Sequence, residues 1–227
     1  MSTARDLVLV TLGMPAEQLV GQGDLSLALA GAEAIDLLHR GTLRLDGDRL
    51  VPGPRVASGD PLLDQADAAL VRREPYETVE EWLWRRAEDL VPAYADALEQ
   101  DGLVVHQHRH GLRLLSGRTE LADSPARREA ERRKASGEPV LAALLVASGL
   151  VPPQPTEGSG ATDASDKNSG GVDCGREEAT SGAEGSPLDD DVTTVLAAVG
   201  DAVMQLEALR LRRDIESAAF DNVWRGW

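Results

Sequence analysis

The chain has 227 residues, a formal net charge of −16, one cysteine and 3% aromatic residues. A lone Cys174 excludes an intrachain disulfide, and the acid excess opposes nonspecific nucleic-acid binding, which needs clustered Lys and Arg. Hydrophobic content of 42% suffices for one moderate core, filled by Leu, Val and Ala rather than by aromatic rings.

Residues 3–12 read as a short helix, with Thr3 and Asp6 as its capping box and Gly13 as its stop. Leu25, Leu29, Ala32, Ile35 and His39 then fall at helical steps, after Asp24 as N-cap and before Gly41 as C-terminal stop. Thr42, Arg44 and Asp46 alternate with Leu43 and Leu45, a strand period; Asp46-Gly47 signals a tight turn, and Leu50-Val51 returns. Ser58 or Asp60 caps the next helix, with Pro61 in its first turn. Thr78-Val79-Glu80-Glu81 is a second capping box, opening a helix with Trp82, Trp84, Arg85 and Arg86. Pro92 interrupts or restarts that pattern, and Gly102 ends it.

Leu103 to Leu115 reads as a hairpin that turns near Arg109-His110-Gly111 and returns through Leu112, Leu114 and Leu115. Ser124-Pro125 starts a charged helix, and residues 138–149 form an apolar one. Residues 152–191 carry −8 of the net charge and only two sizeable aliphatics, Val172 and Leu188. Such a segment buries too little surface to offset the entropy of ordering, so it is expected to be a disordered acidic Gly/Ser-rich linker. Beyond it, Val192, Val195, Leu196, Val199, Val203, Leu206 and Leu209 form one helical stripe. The expected architecture is mainly α: one helical domain with short β-hairpins over residues 1–151, the linker, and a helix over 192–227 that packs back and ends in an aromatic tail. No secretory signal is legible, and the longest apolar run, Val140 to Val151, is too short to cross a bilayer. The expected location is cytoplasmic, or peripheral on the cytosolic membrane face.

Candidate sites are few. His106, His108 and His110 alternate and would share one strand face, a geometry open to zinc; without a supporting Cys or carboxylate, an exposed polar hairpin is the favoured reading. Arg127, Arg128, Arg132, Arg133 and Lys134 form the one basic cluster, but Glu129 and Glu131 interleave with it, which favours internal ion pairs over phosphate binding. Trp82 is expected in the core. Trp84 with Arg85, and Trp224 with Arg225 and Trp227, are the expected lipid- or partner-binding residues, since Trp and Arg favour interfaces. No nucleophile elbow, phosphate-binding loop or dinucleotide fingerprint is present, so no catalytic residue, metal or cofactor is expected.

Three features together resemble the Golgi phosphoprotein 3-like family of peripheral membrane proteins: the helix ending in Arg40-Gly41 before an alternating strand, Ser58-Gly59-Asp60 followed by Leu62-Leu63-Asp64, and Thr78-Val79 followed by Trp82-Leu83. The composition looks like that of a high-GC bacterial homologue. The resemblance implies a mainly helical fold and a non-enzymatic cytosolic adaptor that binds phosphatidylinositol 4-phosphate and holds glycosyltransferase tails. It also implies a headgroup pocket of one Trp and three Arg. The positions that align with them here are Gly21, Ala30, Glu88 and Val91, so none carries over. The family's membrane-inserting and oligomerising hairpin aligns with Leu103–Leu115, including Leu112, Leu114 and Leu115. Expected partners are therefore phospholipid headgroups or a membrane surface, and a homo-oligomer, with no nucleic acid. The alternative is a soluble, oligomeric protein-interaction module without lipid binding.

Overall fold

A computed structural model describes residues 2–14, 21–106, 119–150 and 188–224. The His106–His108–His110 reading, the aliphatic set Leu112, Leu114 and Leu115, most of the acidic segment, Arg225 and Trp227 lie outside the described residues or their described side chains. The elements in order are α1 (Thr3–Leu12), α2 (Gln22–His39), β1 (Leu43–Asp46), β2 (Arg49–Pro52), α3 (Pro61–Ala69), α4 (Val79–Arg86), α5 (Leu90–Gln100), β3 (Val104–His106), β4 (Thr119–Leu121), α6 (Pro125–Ala135), α7 (Pro139–Ala147) and α8 (Asp190–Trp224). The fold is mainly helical. The described residues up to 150 and from 188 onward form one compact unit.

The core is organised around α2, which touches α1, α3, α4, α5, α7 and α8. Its Ala/Leu composition explains this: Ala28, Ala30, Ala32 and Ala34 are fully buried and let six neighbours approach closely, while Leu27, Leu29, Ile35 and Leu37 fill the gaps. Trp82 is fully buried as expected, and its indole donates to the Ala30 carbonyl at 3.1 Å. Val192, Val195, Val199 and Ala202 bury the first half of α8 in the same core.

Two helix starts differ from the sequence reading. Ser2, not Thr3, caps α1, accepting from Arg5 N at 3.4 Å. Thr3 is already helical, and Asp6 is not a reciprocal cap but a buried acid facing α6. Helix α2 begins at Gln22, after Gly21, with no side-chain cap; Asp24 lies within the first turn and binds Arg210 of α8 instead. In both cases a distant arginine takes the carboxylate that a local rule assigned to the helix end.

The capping box at Thr78 and Glu81 is present in both directions, at 3.1 and 2.9 Å. Asp89 adopts a left-handed conformation (φ 57°) and separates α4 from α5, so Pro92 falls inside the first turn of α5 rather than at the break. β1 pairs antiparallel with β2 in the register Arg44↔Val51 and Leu45↔Leu50. β3 pairs with β4, Val104 opposite Leu121. The described partner of β3 is Thr119–Leu121, and Leu112 to Leu115 of the expected hairpin lie outside the described residues.

Candidate functional site

A cleft of about 580 Å³ opens where four pieces of chain meet. The first turn of α1 supplies Ser2, Thr3, Arg5 and Asp6; the end of α2 supplies Asp36, His39 and Arg40. The Ser58-Gly59-Asp60 turn and Leu63 close one side, and Glu129 and Arg133 of α6 close the other.

Each wall follows from local chemistry. Gly59 has φ +81°, which permits the tight turn. Around it the Ser58 hydroxyl accepts from Asp60 N at 2.9 Å, and Ser58 N donates to Asp64 Oδ1 at 2.6 Å. Asp60 then performs two tasks. Its Oδ1 accepts from Leu62 N at 3.1 Å as the cap of α3, and its Oδ2 accepts from the Ser2 hydroxyl at 3.0 Å. Asp36 reaches the start of α1 from α2 and accepts from Ala4 N at 3.3 Å. Acidic groups at a helix N-terminus satisfy its free N–H groups and its dipole.

The cleft mixes signs. Asp6, fully buried, pairs with Arg133, which also lies 3.2 Å from Glu138. Arg5 pairs with Asp101, and its Nε sits 3.8 Å from Asp60 Oδ2, beyond hydrogen-bond reach. Arg40 is different. It is exposed, its described hydrogen bond goes to the Ala57 carbonyl at 3.2 Å, and it has no carboxylate within ion-pair distance among the described residues.

Burial pushes the Asp6 carboxyl above its ordinary range, against the opposing pull of Arg133. It does the same to Asp36 against its Thr3 and Ala4 hydrogen bonds. Asp64 is held low by its Ser58 hydrogen bonds. Raised carboxyls contribute stability that is complete below the ordinary carboxylate range and is lost as pH rises through their folded values. The melting temperature is therefore expected to fall as pH rises from the ordinary carboxylate range, about pH 4, toward neutrality. The Asp36→Asn variant should show a smaller fall, because relief of overall charge repulsion is common to both proteins. An unchanged pH slope in the variant would remove Asp36 from the account.

A family model for Golgi phosphoprotein 3 (GPP34) matches residues 4–206. The chain belongs to the Golgi phosphoprotein 3 (GPP34) family. No curated protein matches it significantly. The GPP34 family is one of peripherally membrane-associated adaptors, and its match spans every element from α1 to the first half of α8.

Within this GPP34 chain the expected site residues fall in several places. Arg85 is committed to Glu77, with contacts of 2.8 and 3.1 Å, donates to the Ala69 carbonyl at 3.1 Å, and stacks on Trp82 with 5.3 Å to the ring centroid. Trp84 is half-buried against the core. The helix carrying Trp224 is continuous from Asp190. At the positions aligned with the family's headgroup residues, Ala30 is buried and Glu88 is exposed. A Cβ at Gly21 would meet the Asp24 carboxylate and the Arg210 guanidinium, so α8 occupies the room a larger side chain would need. In the basic run, Arg127 pairs with Glu131, Arg132 with Glu129 and Arg128 with Asp123, and Arg133 turns into the cleft.

Sequence reasoning had treated Asp60 as a cap, the Ser58 turn as a family signature and Arg40 as a helix end. It did not join them to Arg5, Asp36 and Arg133. The clustering of short polar residues with glycine at Ser58-Gly59-Asp60 was the available signal.

Proposed function

We propose that this protein is a non-enzymatic peripheral-membrane adaptor whose cleft takes a phosphorylated polyol headgroup, with phosphatidylinositol 4-phosphate as the first candidate. The observation that carries this reading is Arg40, an exposed arginine with no carboxylate within ion-pair distance among the described residues, lining a cleft that also presents carboxylate acceptors. A guanidinium in that position suits phosphate, and carboxylates such as Asp60 suit ring hydroxyls. Family membership supports the membrane-associated adaptor role.

Vesicle flotation tests the reading, with neutral, generally anionic and phosphatidylinositol-4-phosphate-containing vesicles in parallel. The phosphoinositide vesicles are expected to carry the protein upward, and Arg40→Ala should weaken this about tenfold, the value of one charge-assisted contact. Absence of flotation with every vesicle, or flotation indifferent to Arg40, would sink it. A soluble interaction module is the second reading, and the free face of α8 is the observation that favours it.

A further inference from the structure

Helix α8 has two faces with different fates. Val192, Val195, Val199 and Ala202 are buried, and Leu196, Val203 and Leu206 pack half-buried beside them. Farther along that face Arg210 binds Asp24 with contacts of 2.7 and 3.0 Å. In a heptad register these residues are all b, c or f. The opposite face carries Met204, Ala208, Leu211 and Ile215, spaced by four, three and four residues. These are consecutive d and a positions, the repeat of a two-stranded seam. Met204 is 69% exposed, Leu211 57% and Ile215 70%. Upstream, the same register places Asp190, Thr194, Ala197 and Asp201 at d and a, so the apolar seam begins at Met204.

We propose that this face is a self-association seam, through which a second copy of the chain pairs as a parallel two-stranded coiled coil from Met204 onward. The flanking charges select both the occupant and its direction. Glu207 and Asp214 are at g, and Arg212 is at e. In a parallel pair each g residue faces the e residue five positions on in its partner, so Glu207 meets Arg212 of the other copy twice by symmetry. In an antiparallel pair g faces g, and acid would meet acid. A lipid surface fits less well, because an interfacial helix needs a polar face rich in Lys and Arg. Here Arg212 and Arg213 are accompanied by Glu207, Asp214 and Glu216. The body packs chiefly on the b, c and f side of α8 and reaches its e flank at Asp191 and Gln205, while the a and d positions from Met204 onward stay open. The seam is independent of the headgroup reading.

Sedimentation velocity of the full chain, from about 5 to about 200 µM, is the first experiment, since a weak dimer declares itself by concentration dependence. A monomer–dimer equilibrium is expected. The double variant Leu211→Asp with Ile215→Asp should stay monomeric with unchanged melting, because both side chains are exposed in the free chain. Glu207→Arg should weaken the dimer on the order of threefold to tenfold, and adding Arg212→Glu should restore it. A chain monomeric at every concentration, or a dimer indifferent to the Asp pair, overturns the seam. Dimerisation strengthened by Glu207→Arg overturns the parallel direction. Flotation on neutral vesicles that the Asp pair abolishes, with the wild type monomeric in solution, assigns the face to lipid instead.

Discussion

Replacing Arg86 with methionine is expected to cost about 3–5 kcal/mol of folding stability, the scale for stranding one member of a buried ion pair. Glu33 sits on α2 with no exposure at all. Its two oxygens receive Arg86 Nε at 2.7 Å and Nη2 at 3.0 Å, and the Tyr94 hydroxyl donates to Oε1 at 3.1 Å. Three elements thus converge on one carboxylate. Burial pushes Glu33 upward, and its bonds to Arg86 pull it back. The same contacts raise Arg86 against its own burial. Bidentate geometry favours the ionised pair. Methionine matches the aliphatic stem of arginine, so lost charge rather than lost volume is what the substitution reads. Urea unfolding measures the loss. The double variant with Glu33→Gln should recover a substantial part, because a neutral amide is less costly to bury unpaired. A single variant within about 1 kcal/mol of wild type would mean that Glu33 is neutral or hydrated in the fold.

Gly31→Ala is the second large effect. A Cβ at this position would collide with the Val199 γ-methyl of α8. Alanine gains about 1 kcal/mol over glycine in a helix interior. Overpacking a well-filled contact costs about 1–3 kcal/mol. The collision involves a β-branched side chain with little rotamer freedom on a docked helix, so the cost is expected to win. Adding Val199→Ala should rescue Gly31→Ala in a double-mutant cycle, since it removes the methyl that is struck. Stabilisation by Gly31→Ala alone would show that α8 can move away cheaply.

These two sites also mark where the sequence was readable and where it was not. The Thr78 box, the Leu43–Val51 hairpin and the Pro61 helix start rest on neighbours within a few residues, and each is present in the fold. Asp6, Asp24 and Glu33 find their arginines at separations of 127, 186 and 53 residues. No local rule reaches that far, which is why two of these acids looked like caps. The cleft was hidden for the same reason: its parts were each visible as a helix end or a turn, but their meeting is a property of packing. Arg85 reads in the sequence as an interface candidate beside Trp84 because Trp and Arg favour interfaces; its partners Glu77 and the Trp82 ring are brought to it by the fold.

The docking of α8 has a bearing on how the chain becomes folded. Val192 to Ala202 complete the pocket of side chains around α2, from a segment far along the chain from it. During synthesis from the N-terminus, α2 is made before α8 and lacks this covering until α8 has followed it from the ribosome. Its Ala/Leu surface must wait exposed, or be shielded by others, through that interval. Closure then joins segments far apart in sequence, which places this contact among the slow, entropically costly ones. Chains interrupted before Val192 should therefore accumulate as sticky, incompletely packed species rather than as a smaller version of the same domain.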